Sequence, residues 1–166
     1  MSITIRPIRS HEYHPLGEVT VAAYESAGYL AEGDGYADYL RDVASRAATG
    51  PVLVAVENDR VLGGIALTPP GSAESEIAGP AEAEIRALAV DPEAGGRGVG
   101  TRLARAVVDL AFAELGAQGI ALSSLDAMRT AHRIYTKLGF DRVPERDWTP
   151  VPGIRLIAFA LDRPTA

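Results

Sequence analysis

The sequence predicts a mixed α/β (α+β) fold with a central sheet of about seven strands and about four helices. Segments whose apolar residues recur every three or four positions, as on one face of a helix, are interspersed with short apolar or alternating runs typical of strands. The 166 residues, the hydrophobic content of 47% and the mean hydropathy of +0.05 are those of a globular domain with a substantial core. We therefore expect residues 1–166 to form a single domain.

The first half of the chain predicts a strand, two helices and a strand pair. Residues 3–8 alternate between isoleucine and mostly polar neighbours and indicate the first strand. The apolar positions of the two helices are Leu16, Val19, Ala22 and Ala23 in the first, and Tyr36, Tyr39, Leu40, Val43 and Ala47 in the second. The segment 28–35 joins these helices. Residues 52–56 and 61–67 form a strand pair across a polar β-turn, and 69–80, rich in Pro, Gly, Ser and Glu, is an exposed loop.

The second half predicts four strands and two helices. In order, these are a strand at 84–90, a helix carrying Leu103, Val107, Leu110 and Leu115 and ending near Gly116, a strand at 120–123, a helix at 130–138, and strands at 140–143 and 154–161. The elements therefore follow the order β-α-α-β-β-β-α-β-α-β-β, without internal repeats.

A glycine-rich segment lies between the strand 84–90 and the helix after it. It contains Gly95, Gly96, Gly98 and Gly100 and follows the strand-breaking pair Asp91-Pro92. At such a junction the unpaired N–H groups of the helix N-terminus and the helix dipole favour an anion, and glycines let a phosphate approach the backbone closely. The segment predicts a ligand that contains phosphate.

Two common phosphate motifs do not fit this segment. A Walker A loop requires lysine after its last glycine, whereas Gly100 is followed by Thr101 and Arg102. The dinucleotide motif G-x-G-x-x-G would need its third glycine at Thr101 or Leu103.

The segment instead resembles the pyrophosphate loop of the GNAT superfamily of acyl-CoA-dependent N-acyltransferases, Gln/Arg-x-x-Gly-x-Gly/Ala. Gly98 and Gly100 match it, and Gly95 stands where the family has Gln or Arg. Residues 131–140 resemble the family's later motif, a helix that carries Tyr135 and runs into Leu-Gly-Phe. On that helix Ala131, Ile134, Tyr135 and Leu138 share one face, Gly139 is the expected stop, and Met128 replaces the family's asparagine.

The resemblance implies transfer of an acetyl group from acetyl-CoA to a primary amine, of a small molecule or a protein N-terminus, by direct attack on the thioester. It implies that the backbone of Leu88 and Val90 binds the pantetheine arm and that the N–H of Leu88 polarises the thioester carbonyl. The cofactor-binding residues it implies are Leu88, Ala89, Val90, Gly95, Gly96, Arg97, Gly98, Val99, Gly100, Thr101, Arg133 and Tyr135. A homodimer is a further habit of the family.

Two side chains are candidates for proton transfer. Glu84 stands where some family members carry a general-base glutamate, four residues before Leu88; the alternative is a carboxylate paired with Arg86 on the same face. Tyr135 matches the tyrosine that protonates the departing CoA thiolate; the alternative is a tyrosine of the core. The three histidines, His11, His14 and His132, lie alone on polar stretches and are expected at the surface.

Composition excludes several classes of protein. The net charge of −6 argues against a nucleic-acid surface, and the absence of cysteine excludes disulfides, cysteine-ligated zinc and a thiol nucleophile. No apolar run is long enough to span a membrane, and the first residues indicate a strand rather than a leader. We expect a cytoplasmic protein without a metal site.

Charge is segregated along the chain, although solvated helix faces would also explain this. Six basic residues cluster in the glycine segment, the helix that follows it and the later helix: Arg97, Arg102, Arg105, Arg129, Arg133 and Lys137. The acidic residues of the first third are Glu12, Glu18, Glu25, Glu32, Asp34, Asp38 and Asp42. This pattern suits a basic cofactor end and an acidic acceptor end. With Tyr24, Tyr29, Tyr36 and Tyr39 in the acidic part, it favours a cationic amine, the alternative being tyrosines that pack helices.

Two other functions remain open from the sequence. One is a non-catalytic acyl-CoA-binding or regulatory module of the same fold, because Gly95 and Met128 both depart from the family's motifs. The other is a nucleotide-binding enzyme without acyl chemistry, which ATP or NAD would stabilise better than CoA does.

Overall fold

The computed structural model describes residues 2–30 and 35–165, which contain eight strands and five α-helices. The strands are β1 (Thr4–Pro7), β2 (Val52–Glu57), β3 (Arg60–Thr68), β4 (Glu82–Val90), β5 (Gly119–Leu125), β6 (Asp141–Arg142), β7 (Trp148–Val151) and β8 (Ile154–Asp162). The helices are α1 (Tyr13–Ser26), α2 (Tyr36–Arg41), α3 (Val43–Thr49), α4 (Val99–Ala113) and α5 (Arg129–Lys137). Hydrogen bonding orders the strands β1-β2-β3-β4-β5-β8-β6, with β7 paired to β8. The mixed α/β fold agrees with the prediction.

The chain forms two compact units, each of which consists of two separate stretches of sequence. Unit 1 comprises Met1–Ala66 and Ala87–Ala106, and unit 2 comprises Leu67–Arg86 and Val107–Ala166. Both β4 and α4 therefore contribute residues to each unit.

Unit 1 contains an antiparallel meander of β1, β2 and β3. Asn58 and Asp59, with φ of 51° and 64°, form the two-residue turn between β2 and β3, as the primed turns of hairpins require. The apolar side chains that share the core of this unit are Leu16, Val43, Val52, Val54, Val56, Val61 and Ala66. Leu16 packs so closely on Gly64 that an added Cβ there would lie 2.6 Å from a Leu16 methyl. The absence of a side chain at Gly64 therefore allows α1 to pack closely on β3.

The second predicted helix of unit 1 is two helices, contrary to the sequence-based expectation. Asp42 interrupts it with a non-helical ψ of 62°, and its carboxylate accepts hydrogen bonds from the Ser45 N–H (3.2 Å) and hydroxyl (2.7 Å). This is an N-cap, which aspartate favours strongly. Continuous apolar periodicity across Asp42 concealed the break. Residues 31–34, which include the predicted acidic positions Glu32 and Asp34, lie outside the described residues.

Unit 2 is built around β5. The first half of β4 runs parallel to β5, with Glu84 opposite Ala121 and Ile85 opposite Leu122, and β8 runs antiparallel on its other side. Ile120 and Leu122 of β5 are fully buried, as is expected of a central strand. This parallel pairing fixes where the candidate residues of β4 stand in the sheet.

The strand β7 was missed in the sequence. Pro150 disfavours a strand interior, yet β7 lies outside the main strand path and pairs with β8 through Trp148 and Val151. The two residues between Val151 and Ile154 are Pro152 and Gly153, and Gly153 has a φ of 84°. Proline followed by a left-handed glycine is the signature of a type II turn, and it was the available signal.

The longest described helices, α4 and α1, have 15 and 14 residues. A bilayer requires about 20 predominantly apolar residues. Within residues 2–30 and 35–165, no helix combines the length and apolar content of a membrane-spanning segment.

Candidate active site

The predicted site residues divide between the two units. Unit 1 holds Leu88, Ala89, Val90, Gly95, Gly96, Arg97, Gly98, Val99, Gly100 and Thr101, and unit 2 holds Glu84, Arg133 and Tyr135. Along the chain, β4 links Glu84 to Leu88.

Ala87 interrupts β4 with a left-handed backbone. Its φ of 54° lies in a region that residues other than glycine seldom adopt and that costs about 1–2 kcal/mol. A left-handed residue inside a strand is typical of a β-bulge, which re-aims the groups that follow. Leu88, the predicted oxyanion donor, is the next residue. Nothing in the alternation of the sequence indicated this irregularity.

The end of β4 is held firmly before the glycine segment begins. The N–H of Asp91 donates to the carbonyl of Leu62 (2.7 Å). The Asp91 carboxylate accepts hydrogen bonds from Arg60 (2.7 Å) and from the N–H of Glu93 (2.9 Å). The short 3-10 helix Pro92–Ala94 follows, and these contacts fix the direction in which the chain leaves the sheet.

Gly95, Gly96 and Gly98 of the glycine segment are exposed, Gly100 is buried, and the backbone conformation at two of these positions requires glycine. Gly96 and Gly98 have φ values of 78° and 75°, whereas Gly95 has an ordinary φ of −63°. A Cβ placed at Gly96 or Gly98 would meet no atom of the described residues within 4 Å. The backbone here is therefore left-handed and open in front, an arrangement that leaves room for a bulky anion.

The segment ends at the N-terminus of α4. The N–H of Arg102 donates to the carbonyl of Gly98 (3.0 Å), so the N–H groups of Val99, Gly100 and Thr101 precede the first bond of the helix. Such N–H groups, together with the dipole of a 15-residue helix, form an anion site. The residues present fit the pyrophosphate of CoA.

The side chain of Arg97 is committed to a protein partner. Its Nη1 and Nη2 lie 3.0 and 2.6 Å from the two carboxylate oxygens of Glu57 at the end of β2. The hydrogen bonds from Arg97 lower the pKa of Glu57, and those to Glu57 raise the pKa of Arg97. The guanidinium thus braces the loop against β2.

Glu84 is deeply buried, with 1% of its surface exposed. Its Oε1 accepts hydrogen bonds from the N–H groups of Ile77 (2.8 Å) and Ala78 (2.9 Å), and the N–H of Glu76 lies 3.1 Å from both oxygens. Its Oε2 also accepts from Nε (3.2 Å) and Nη2 (3.0 Å) of Arg86. The pairing with Arg86 that the sequence offered as an alternative is present, and the carboxylate also anchors the loop before β4.

Tyr135 lies on the inner face of α5 and is 4% exposed. Its ring packs on Phe140 and Phe159, with centroid distances of 5.5 and 6.4 Å. Burial raises the pKa of Tyr135 well above its usual value, so the phenol is protonated at neutral pH. The stop at Gly139 is as predicted, since this residue has a φ of 100° and the N–H of Phe140 returns to the carbonyl of Tyr135 (3.0 Å).

His132 is not the surface residue that the sequence suggested. Its Nε2 lies 3.0 Å from the Oγ of buried Ser124, and its ring packs on Phe159 at 5.0 Å. Burial lowers the pKa of His132. Ser124 also contacts the Sδ of Met128 (3.5 Å), so a serine and a histidine stand beside the position where the family has asparagine. Arg133, on the outer face of the helix, is exposed and donates to Thr130.

Four tyrosines form a chain of ring contacts in unit 1. Tyr24 lies 6.0 Å from both Tyr29 and Tyr36, and Tyr36 stacks on Tyr39 at 5.3 Å between centroids. Tyr36 and Tyr39 keep 42% and 40% of their surface exposed. The guanidinium of Arg46 lies 5.4 Å from the Tyr39 ring, so a cation of the chain itself already occupies one cation–π position.

Comparison with known proteins defines the class. The model of the acetyltransferase (GNAT) family matches residues 16–140, and the chain therefore belongs to this family. The match spans the strands β2 to β5, the glycine segment and α5. Among curated proteins no match is found.

Solved structures share the fold over nearly the whole chain. A GNAT acetyltransferase from Staphylococcus aureus Mu50 is 16% identical with a TM-score of 0.76, covering 97% of this chain and 99% of its own. A GNAT acetyltransferase from Brucella melitensis, solved with acetyl-CoA, is 26% identical with a TM-score of 0.64, covering 99% and 92%. PaiA N-acetyltransferase from Thermoplasma acidophilum, solved with CoA, is 20% identical with a TM-score of 0.73, covering 98% and 100%. The family and fold predicted from the sequence are confirmed.

Proposed function

We propose that this protein is a single-domain, acetyl-CoA-dependent N-acetyltransferase that acts on a primary amine of a small molecule or a protein N-terminus. The observation that carries this proposal is the open, left-handed glycine segment at the N-terminus of α4 in a chain of the acetyltransferase family. The relative from Brucella melitensis was solved with acetyl-CoA, which supports the same acyl donor here.

Unit 1 holds the cosubstrate in this proposal. The N–H groups from Gly96 to Thr101 bind the pyrophosphate, with Gly95 at the entrance of the loop. The backbone of Leu88, Ala89 and Val90 lines the pantetheine arm. The N–H of Leu88, aimed by the left-handed Ala87, donates to the thioester oxygen as negative charge develops on it. Acetyl-CoA supplies an activated acyl group with a thiolate as leaving group.

Tyr135 donates a hydrogen bond or proton to the departing sulfur. Burial keeps its phenol protonated but also makes it a weaker acid, since the pKa is raised. A thiol has an ordinary pKa of about 8.5, so full transfer from such a phenol is uphill and a hydrogen bond supplies most of the effect. Loss of this hydroxyl therefore slows the reaction without abolishing it. Arg133, exposed on the same helix, adds positive charge for the anionic cosubstrate.

The acceptor in this proposal is a cationic amine, and the reaction takes place in the cytoplasm. The acidic residues of the first third and the exposed rings of Tyr36 and Tyr39 support a cationic acceptor. Arg46 on Tyr39 weakens that support, because it already satisfies one ring.

A second candidate is a non-catalytic acyl-CoA-binding module. One observation favours it: the carboxylate in the family's base position, Glu84, is saturated with hydrogen bonds from the protein. A catalyst of this family needs a group that removes a proton from the amine, and the module does not.

Incubation with acetyl-CoA and a panel of amines, with a thiol reagent to detect CoA, separates the two candidates. The enzyme releases CoA in proportion to one class of amine, and mass spectrometry finds the acetylated amine. Binding of CoA without release for every amine would favour the module. Stronger thermal stabilisation by ATP or NAD than by CoA would overturn both.

A further inference from the structure

Glu84 has little capacity left to act as a base. A carboxylate offers about four lone-pair positions, and here three consecutive N–H groups, from Glu76 to Ala78, and the Arg86 guanidinium converge on its two oxygens. Protonation would remove an acceptor from a site that is 1% exposed and leave buried N–H groups unpaired. The geometry is that of an anchor.

Glu84 anchors Glu76, a second carboxylate residue that lies at the surface. The N–H of Glu76 is bound to Glu84, which fixes the backbone of Glu76 over the buried carboxylate. The Glu76 side chain is 44% exposed, and its Oε1 makes an ion pair with Arg86 Nη2 (3.2 Å). Arg86 thus contacts both carboxylates, and Glu76 is the more exposed of the two.

The environment of Glu76 suits a proton acceptor. Partial burial is the main cause that raises the pKa of Glu76, and the negative charge of Glu84 adds to it, whereas Arg86 acts in the opposite direction. Glu84 and Arg86, both on β4, are the charged groups that face it among the described residues of unit 2. A carboxylate with a raised pKa is a stronger base than an ordinary one.

The hydroxyl of Ser75, one residue before Glu76, is buried without a hydrogen-bond partner in the described part of the chain. Buried hydroxyls in native proteins usually have a partner. This is a second sign, independent of charge, that the loop 74–78 contacts a further polar group.

We propose that Glu76 accepts the proton of the attacking amine and that Glu84 is the positioning residue that holds Glu76 in place. This rests on the proposed function. The ammonium form of the acceptor transfers one proton to Glu76, and the freed nitrogen lone pair forms the C–N bond with the thioester carbonyl carbon. The C–S bond breaks while the Tyr135 hydroxyl donates a hydrogen bond to the departing sulfur, and the second amine proton passes through this hydroxyl to the sulfur. Glu76 returns its proton to water, so that an amide, CoA and one proton result.

The test is the pH dependence of kcat/KM for the wild-type protein and three variants. Glu74→Gln is the matched control, because Glu74 lies in the same loop, is exposed, and contacts Arg86 through its backbone carbonyl. We expect Glu74→Gln to behave as the wild type. Glu76→Gln loses about 100-fold at neutral pH, the lower end of general-base effects, and its acidic limb disappears. Its deficit shrinks at high pH, where the amine is already neutral.

Glu84→Gln separates positioning from catalysis. Removal of the negative charge of Glu84 lowers the pKa of Glu76, so the acidic limb of the profile moves to lower pH but remains. A Glu84→Gln variant without that limb, together with wild-type kinetics of Glu76→Gln, would overturn the assignment and make Glu84 the base. If the wild-type protein is active and the Glu76→Gln and Glu74→Gln variants have the same pH profile of kcat/KM, the assignment is also overturned. A wild type that releases no CoA with any amine refutes the proposed function, and the role of Glu76 with it.

Discussion

Replacement of Gly98 by alanine tests the phosphate loop against a control three residues away. Gly98 has a φ of 75°, which alanine adopts only with strain, whereas Gly95 has φ and ψ of −63° and 150°, which alanine adopts freely. Both glycines are exposed. A methyl group at Gly98 meets no described atom within 4 Å, and one at Gly95 lies 3.5 Å from the carbonyl of Pro92, an ordinary contact. The two substitutions therefore differ in backbone conformation and hardly at all in packing.

The expected magnitude follows from that difference. A left-handed residue other than glycine costs about 1–2 kcal/mol, and Gly98→Ala has no clash to add to it. If the loop leaves its left-handed conformation to escape this cost, the affinity for CoA falls by about 5- to 30-fold, the equivalent of the same free energy. Gly95→Ala leaves affinity unchanged and stabilises the fold by about 0.4–1 kcal/mol, through the unfolded state.

Isothermal titration with CoA and thermal unfolding without it measure the two effects separately. Gly98→Ala is expected to weaken CoA binding, whereas Gly95→Ala is not. Equal CoA affinities for the two variants, with the stability of Gly98→Ala reduced as expected, would show that the loop conformation is irrelevant to phosphate.

Two further predictions concern Tyr135 and Glu12. Tyr135→Phe retains the contacts with Phe140 and Phe159, so stability and CoA affinity stay the same while kcat falls about tenfold; an unchanged kcat would assign the hydroxyl a purely structural role. Buried Glu12 accepts two hydrogen bonds from Arg6 (2.9 and 2.7 Å), which lower its pKa to about 2, so its contribution is present above pH 4.3 or so and is lost as pH falls toward 2. Glu12→Gln therefore lowers the free energy of unfolding by about 2 kcal/mol at pH 7, with a difference from the wild type that narrows on acidification; a constant difference in urea titrations from pH 7 to 2.5 would contradict this.

Local patterns were sufficient for most of the fold. The glycine segment, the stop of α5 at Gly139 and the turn before Arg60 depend on residues that are neighbours in the chain. Their chemistry, glycine or asparagine at positive φ, can be recognised without knowledge of tertiary contacts. The helix break at Asp42 also had a local signal, since aspartate is a favoured N-cap and stands directly before Val43, the first residue of α3. The continuous apolar periodicity outweighed this signal.

Most side-chain partners at the candidate site could not be predicted from neighbouring residues in the sequence. The Glu84–Arg86 pair was offered by the sequence, but Arg97 meets Glu57 across 40 positions, and the N–H partners of Glu84 come from a loop predicted only to be exposed. Each carboxylate had several possible arginine partners, and the pattern does not rank them. The left-handed Ala87 is harder still, because alanine has no preference for that conformation and only the surrounding sheet imposes it.

Ala87 has a consequence for the way β4 can change over evolutionary time. In a regular strand, alternation locks every residue into one phase, and a shift of one position turns all later side chains to the opposite face. The left-handed Ala87 interrupts this alternation. The side chains from Glu82 to Arg86 and those from Leu88 to Val90 therefore alternate between the faces of the sheet independently of each other. Substitutions in the first part can then accumulate while the second part keeps its backbone geometry. One alanine thereby divides a nine-residue strand into two parts that can accept substitutions independently of each other.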